Sequence, residues 1–153
     1  METLERLFRD HAFFSTMDPK HLDILVGCAS NVRFEPGDFL FREGEEAHSF
    51  FFLRSGLVTV ELYVPGRGAM QVETVGEGGV IGWSWLIPPY QWHFDARAVE
   101  PTRALALDGT CLRSKCDEDH DLGYAILKRF FHLVEQRLEA TRVQLIGEFS
   151  ERK

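Results

Sequence analysis

The chain has 153 residues, enough for one domain with a sizeable core, and its 44% apolar and 27% charged residues are ordinary for a globular protein. Its net charge of −7 argues against broad binding to a nucleic-acid backbone, which requires a basic surface. No apolar run reaches the ~18 residues of a membrane span and the N-terminus lacks a secretory apolar segment, so we expect a cytoplasmic protein with no membrane partner.

The N-terminal part of the chain, residues 1–30, predicts helices. The segment ETLERLF (2–8) has one apolar face. Asp18 and Pro19 are typical of an N-cap followed by the first helical position, and the second helix should end near Cys28.

From Val32 the apolar period changes to two, which predicts strands. Pro36-Gly37, Ser55-Gly56 and the PGRG turn at 65–68 separate these strands. Short strands divided by glycine and proline turns predict a closed or sandwiched antiparallel sheet, which we assign to residues 31–108.

Residues 109–149 predict two more helices. Asp108 is placed to cap a short helix, GTCLRSKC, and the acidic stretch DEDHD (117–121) suits the start of a long helix. We therefore assign residues 1–153 to a single domain.

The long helix carries two apolar faces. The first repeats at a and d positions: Leu127, Phe131, Val134, Leu138, Thr141 and Leu145. The second, at Ile126, Phe130 and Leu133, covers only the first half of the helix. We expect one face to pack on the strands and the other to pair with a second copy in a homodimer; the alternative is that both faces are core.

The three cysteines, Cys28, Cys111 and Cys116, show no spacing typical of a metal site. An odd number suits a reducing compartment better than a disulfide framework. We therefore expect three free thiols.

The segment FEPGDFLFREGEEAHSFFFLRSGLVTVEL (34–62) has a Pro-Gly turn, a glycine after an acidic-flanked strand, and aliphatic residues followed by Ser-Gly. It resembles the cyclic nucleotide-binding domain family, the effector domain of bacterial catabolite activators and other Crp/Fnr-like regulators and of eukaryotic kinases and channels. The resemblance covers about residues 4–145. It implies a mainly β fold with α: an antiparallel β-roll (jelly roll) containing a short helix, flanked by N-terminal helices and a long C-terminal helix.

In that family the ligand rests on a phosphate-binding cassette of the form Gly-Glu-hydrophobic-hydrophobic, a variable loop, then Arg-(Ser/Thr)-Ala. The resemblance places the cassette at GVIGWSWLIPPYQWHFDARAV (79–99), which holds all three tryptophans of the chain. Gly82 matches the family pattern. Trp83, Phe94 and Asp95 stand where the family has Glu, Arg and Ser/Thr.

These substitutions disfavour the usual ligand. A charge-assisted contact contributes ~1.5–3 kcal/mol, so losing two lowers affinity roughly 10²–10⁴-fold. Asp95 would repel the phosphate, and Arg97 should project to the other face of its strand. His93 is the remaining candidate cation, and a shifted loop that brings His93 or Arg97 inward is an alternative.

Two interpretations of the tryptophan-rich cassette stay open. The pocket is either filled by its own aromatic residues or adapted to an aromatic or apolar ligand, with Ser84, His93 and Asp95 as polar groups. The alternatives are a true binder of cyclic AMP or cyclic GMP, the two candidate cofactors, and a ligand-free module whose tryptophan-rich surface docks a partner protein. The candidate pocket residues are Ile81, Gly82, Trp83, Ser84, Trp85, Trp92, His93, Phe94, Asp95, Ala96 and Arg97.

An enzyme is not predicted, because the chain has no GxSxG, P-loop or HExxH motif and its six histidines show no metal-ligand spacing. Haem binding through His93 or Cys111 is a weaker alternative. The chain ends at GEFSERK, which leaves no room for a DNA-reading module, so no nucleic-acid partner is expected. A stand-alone regulator and a piece of a longer protein both fit this end point.

Overall fold

Two antiparallel sheets and four helices make up residues 4–151, the part of the chain that the computed structural model describes; side chains are described except at Glu5 and beyond Glu148. Both ends of the predicted 1–153 domain, and the start of the predicted first helix, lie outside the described residues. In chain order the elements are α1 (Leu4–Asp10), α2 (Pro19–Gly27), β1 (Ala29–Phe34), β2 (Phe39–Phe41), β3 (Ser49–Ser55), β4 (Val58–Val64), β5 (Gly68–Val75), β6 (Val80–Ile81), β7 (Asp95–Ala98), β8 (Thr102–Asp108), α3 (Gly109–Glu118) and α4 (His120–Glu151).

The strands form two four-stranded sheets, in the orders β1-β8-β3-β6 and β2-β7-β4-β5, and all their pairs are antiparallel. The apolar core draws buried side chains from both sheets and from all four helices. The predicted β-roll between N-terminal helices and a long C-terminal helix is therefore confirmed.

One glycine corner shows why the strands begin and end where they do. Gly56 has φ +101° between β3 and β4, and a Cβ on it would lie 2.4 Å from Thr102 Oγ1 and 2.6 Å from the carbonyl oxygen of Pro101. Only glycine allows both this backbone conformation and this approach. The turn at Ser55-Gly56 therefore packs directly against the turn between β7 and β8.

Aspartate caps begin the last two helices, as predicted. Asp108 Oδ1 accepts a hydrogen bond from the N–H of Cys111 (3.1 Å), and Asp119 Oδ1 accepts from the N–H groups of Asp121 (3.1 Å) and Leu122 (3.2 Å). The bond from Leu122 is the main cause that lowers the pKa of Asp119. The carboxylate therefore stays ionised at the positive end of α4.

The 32 residues of α4 span about 48 Å at 1.5 Å per residue. Its first half packs on the roll, burying Leu122, Ile126, Phe130 and Leu133. Between residues 135 and 148 every side chain except Arg137 is exposed. The helix thus extends beyond the core that its first half covers. No helix among residues 4–151 is long and apolar enough to cross a membrane.

The expectation of three free thiols was wrong. Cys28 and Cys111 form a disulfide, with their Cα atoms 6.3 Å apart. β1 and β8 are neighbours in one sheet, so the residue before β1 meets the first turn after β8, and 83 positions of intervening sequence hide this proximity. Cys116 is a free thiol, and burial is the main cause that raises its pKa to about 11.

Cys28→Ser should destabilise the oxidised protein by about 4 kcal/mol, because the disulfide closes a long loop and so restricts the unfolded chain. Urea unfolding with and without dithiothreitol measures the effect. Cys116→Ser is the matched control and should retain the response to reductant. A reductant that leaves the midpoint of the unaltered chain unchanged would show that Cys28 and Cys111 are not paired.

Candidate functional site

The cassette loop, defined as residues 82–94, leaves the roll after β6 and returns at β7. A hydrogen bond from Leu86 N to Trp83 O (3.1 Å) closes one turn, but no helix forms between residues 82 and 94. The short helix implied by the family resemblance is therefore absent here. Pro88 and Pro89 explain the difference, because proline lacks a backbone N–H and disfavours the helical conformation of the preceding residue.

Backbone hydrogen bonds hold the end of the cassette loop against the segment after β2. Gly44 N donates to Trp92 O (2.9 Å), Trp92 N donates to Glu45 O (3.0 Å), and Ala47 N donates to Tyr90 O (2.7 Å). This antiparallel pairing fixes the position of Trp92 relative to the roll.

Arg113 of α3 holds the middle of the cassette loop. Its guanidinium donates to the carbonyl oxygens of Trp85 and Ala47 and lies 4.1 Å from the centroid of the Tyr90 ring. Sequence analysis gave Arg113 no role. A single cation on a short helix does not indicate that its side chain contacts Trp85, 28 positions earlier in the chain.

The tryptophans at 85 and 92 are interior residues. Trp85 is fully buried, with its ring 5.2 Å from that of Phe50 and 5.5 Å from that of Phe130 on α4. Trp92 is 5% exposed and stacks on Phe41 with ring centroids 3.7 Å apart and an interplanar angle of 9°. The cassette loop therefore contributes its tryptophans to the core of the roll and to its contact with α4.

Trp83 and Phe94, which the family resemblance places at the Glu and Arg positions, face each other. Both are half-buried, and their rings meet edge to face with centroids 6.3 Å apart. The two side chains therefore make an aromatic contact with each other.

The space left beside this pair is very small. The cavity measures about 20 Å³, against the ~300–1,000 Å³ of typical ligand pockets. Gly82 has φ +98°, and a Cβ on it would lie 2.7 Å from Trp92 Cη2. The wall of the cavity is therefore tightly packed at this residue. The cavity is lined by Phe41, Val60, Glu73, Ile81, Gly82, Trp83, Ser84, Trp92, Phe94 and Arg137.

The charged residues of β7 are engaged elsewhere. Asp95 Oδ1 accepts a hydrogen bond from Glu43 N (2.8 Å) and lies 3.8 Å from Arg42 Nε. Arg97 Nε donates to Glu61 Oε1 (2.9 Å), and this bond is the main cause that raises the pKa of Arg97 above its ordinary value. Neither side chain lines the cavity.

The eleven predicted pocket residues therefore separate into two groups. Six line the cavity: Ile81, Gly82, Trp83, Ser84, Trp92 and Phe94. Five do not: Trp85 packs against α4, Ala96 is buried between strands, His93 is exposed, and Asp95 and Arg97 make the contacts above.

Arg137 and Glu73 are site residues that sequence analysis missed. Arg137 of α4 forms an ion pair with Glu73 of β5 and donates to Val80 O (3.2 Å). Sequence analysis placed Arg137 on neither apolar face of α4. A cation outside both faces is ordinarily expected to lie in solvent, so nothing in the sequence indicated its contact with the roll. The pair ties α4 to the roll at the edge of the cavity.

The predicted seam of α4 is largely exposed in this chain. Leu127, Phe131, Leu138 and Leu145 are 49%, 68%, 48% and 51% exposed, and Val134 is half-buried. Homodimerisation through these positions stays a prediction.

Cys111 is bonded to Cys28, and His93 lies outside the cavity, so neither is placed as an axial ligand to haem there. Among the described residues, no group of three or more His, Cys, Asp or Glu side chains is placed to hold a metal ion.

Comparison with known proteins gives the family model of the cyclic nucleotide-binding domain, which matches residues 31–119. A crystallised protein of Geobacter metallireducens GS-15, classed with the cyclic nucleotide-binding proteins, has a TM-score of 0.79 and 28% identity over 90% of this chain and 99% of that one. No curated protein sequence matches the chain.

Two more distant structures share the fold. A cyclic nucleotide-binding domain from Methylobacillus flagellatus KT has a TM-score of 0.80 and 19% identity, covering 95% of this chain and 82% of that one. The sensor domain of the transcriptional regulator DNR from Pseudomonas aeruginosa has a TM-score of 0.71 and 23% identity, covering 88% and 91%.

Proposed function

The chain belongs to the cyclic nucleotide-binding domain family, and we propose that it is a regulatory, non-catalytic domain whose phosphate-binding site is filled by its own aromatic side chains. The cavity of about 20 Å³ between Gly82, Trp83 and Phe94 carries the proposal. It has room for about one water molecule, since a water needs ~10–15 Å³. We therefore expect that no cyclic nucleotide binds inside the roll.

Charge supports the same conclusion. Cyclic AMP or cyclic GMP would need Trp83 and Phe94 to separate and would bring a phosphate to a site without a free cation among its described lining residues. Arg97 is held by Glu61, and Arg137 is paired with Glu73. Breaking an ion pair to bind the phosphate would oppose binding, because it leaves a partly buried carboxylate without its partner.

The alternative of a protein-docking tryptophan surface has little support. Trp85 and Trp92 are buried and Trp83 is half-buried, so the tryptophans offer no exposed aromatic patch. The large apolar residue that the cassette loop does expose is Ile87, at 55%.

The packing gives a route for regulation. Trp85 of the cassette loop contacts Phe130 of α4. A change in the conformation of the loop would therefore alter the position of α4 on the roll. We propose that residues 1–153 act as one domain of a regulator whose output is the position and pairing of α4.

Pairing of α4 with a second copy is part of this proposal. The a and d residues Leu127, Phe131, Leu138 and Leu145 are about half exposed or more, whereas the face at Ile126 and Phe130 is buried on the roll. Such a stripe is the usual seam of two helices packed by knobs into holes.

The filled-site proposal predicts that the double variant Trp83→Glu, Phe94→Arg gains affinity for cyclic AMP. The two charge-assisted contacts that it restores are together worth roughly a 10²–10⁴-fold change. Isothermal titration calorimetry against the unaltered chain measures the gain.

The matched control is Trp83→Gln, Phe94→Met, which removes the same aromatic rings without adding charge. It should gain much less affinity than the charged variant. Micromolar binding by the unaltered chain would contradict the proposal, and no gain in either variant would contradict the assignment of positions 83 and 94 to the family's Glu and Arg.

For the dimer, Phe131→Glu should shift the protein toward monomer in sedimentation velocity experiments, because it places a charge in the seam. Gln136→Glu, on the same helix but off the seam, should leave the dissociation constant unchanged. An unaltered chain that stays monomeric at protein concentrations far above the micromolar range would rule out pairing through α4.

A further inference from the structure

We propose that a pocket between the N-terminal helices and α4 binds a small aromatic anion, a molecule that carries an acidic group on a flat ring. The loop pocket is defined by Phe13 and Thr16, which lie between α1 and α2, and by Tyr124, Lys128, Arg129 and His132 of α4. It shares no lining residue with the cavity beside the cassette loop, so the proposal goes beyond the proposed function and does not depend on it.

The loop pocket is large enough for such a ligand. Its volume is about 480 Å³, within the ~300–1,000 Å³ range of ligand pockets. Tyr124, Lys128 and His132 follow one another at intervals of four residues on α4, so they lie on one face of the helix. The segment between α1 and α2 forms the opposite wall.

Arg129 connects the two walls and carries a charge that no described carboxylate balances. Its guanidinium donates to Phe13 O (2.8 Å), Thr16 Oγ1 (2.6 Å) and Ala125 O (2.9 Å), all of them neutral oxygens. Burial lowers the pKa of Arg129 below its ordinary value, because it removes water from the charged form. A bound anion would supply the missing countercharge and form charge-assisted hydrogen bonds with the guanidinium.

The walls of the loop pocket carry positive charge and no acidic side chain. The segments HAFFSTM (11–17) and LGYAILKRFFHLV (122–134) have no Asp or Glu, although the whole chain has 24 acidic residues. Lys128 and Arg129 are therefore a local positive site in a protein of net charge −7. Such a site attracts an anion that the net charge of the chain would otherwise repel.

Aromatic side chains favour a ligand with a ring. Tyr124 is 66% exposed, and its ring centroid lies 5.2 Å from Lys128 Nζ. Phe13 is half-buried and packs edge to face on Phe130, with ring centroids 5.3 Å apart. A flat ligand would stack on the Tyr124 ring while its acidic group meets Lys128 and Arg129.

Isothermal titration calorimetry with 1-naphthoate and its uncharged amide, 1-naphthamide, tests the charge of the ligand. The two probes have the same ring system and nearly the same size. The carboxylate should bind the unaltered chain roughly tenfold more tightly than the amide, because only the carboxylate supplies the countercharge. Acetate, which has the charge without the ring, should also bind roughly tenfold more weakly than 1-naphthoate.

Two charge-reversed variants locate the binding. Lys128→Glu should weaken 1-naphthoate roughly tenfold, because it replaces an attractive charge beside the ligand by a repulsive one. Arg142→Glu, the matched control, makes the same change at an exposed position about 21 Å farther along α4. Screening by salt over this distance should keep its effect below about twofold.

Both substituted side chains are exposed, and circular dichroism melting verifies that each variant folds. Arg129 is left unaltered because it also ties the two walls together, so its loss would combine an effect on binding with an effect on folding.

Tyr124→Ala tests the aromatic wall. It should weaken 1-naphthoate roughly fivefold, because a stacking surface is lost, and leave the weaker binding of acetate unchanged. Tyr63→Ala, at a similarly exposed position of β4 (63%), is the matched control and should change neither affinity.

Equal affinities for 1-naphthoate and 1-naphthamide would overturn the proposal, and so would equal effects of Lys128→Glu and Arg142→Glu. A fall in the number of 1-naphthoate molecules bound per chain as the protein concentration rises would also contradict it, because a second copy would then occupy the loop pocket.

Discussion

The stacking of Trp92 on Phe41 inside the roll is the interaction on which the rest of the site depends. It brings the Trp92 ring so close to Gly82 that even a methyl group there would collide with it. The Trp92 ring, Phe41 and Gly82 all line the small cavity beside the cassette loop. The contact between Trp83 and Phe94 then closes the remaining side, and the cavity is reduced to about 20 Å³.

Filling this site does not isolate it from the long helix. Trp85 joins the cassette loop to α4 through Phe130, and Arg113 joins it to α3. The Arg137–Glu73 pair ties α4 to the roll at the same place. The contacts that join the cassette loop to α3 and α4 are therefore present, although the cavity beside Trp83 and Phe94 measures only about 20 Å³.

The strands and caps were predictable because their signals are local: a Ser-Gly corner, a Pro-Gly turn or an aspartate before a helix acts on its immediate neighbours. The expectation that Trp83 and Phe94 replace two charged residues came instead from the family resemblance. Three features depend on distant pairs and were not predictable: the Cys28–Cys111 disulfide, the Arg137–Glu73 pair and the burial of Trp85. The missing cassette helix was a different error, because Pro88 and Pro89 were visible and the family resemblance was given more weight than their backbone restriction.

The most direct test of the filled site is a titration of the unaltered chain with cyclic AMP and cyclic GMP, following tryptophan fluorescence and melting temperature together. All three tryptophans lie in the cassette loop, so a nucleotide bound there would change the emission. We expect no saturable change in either signal up to millimolar nucleotide. A saturable change in both, with the ~2.7 kcal/mol of added stability due at a hundred times the Kd, would contradict the account.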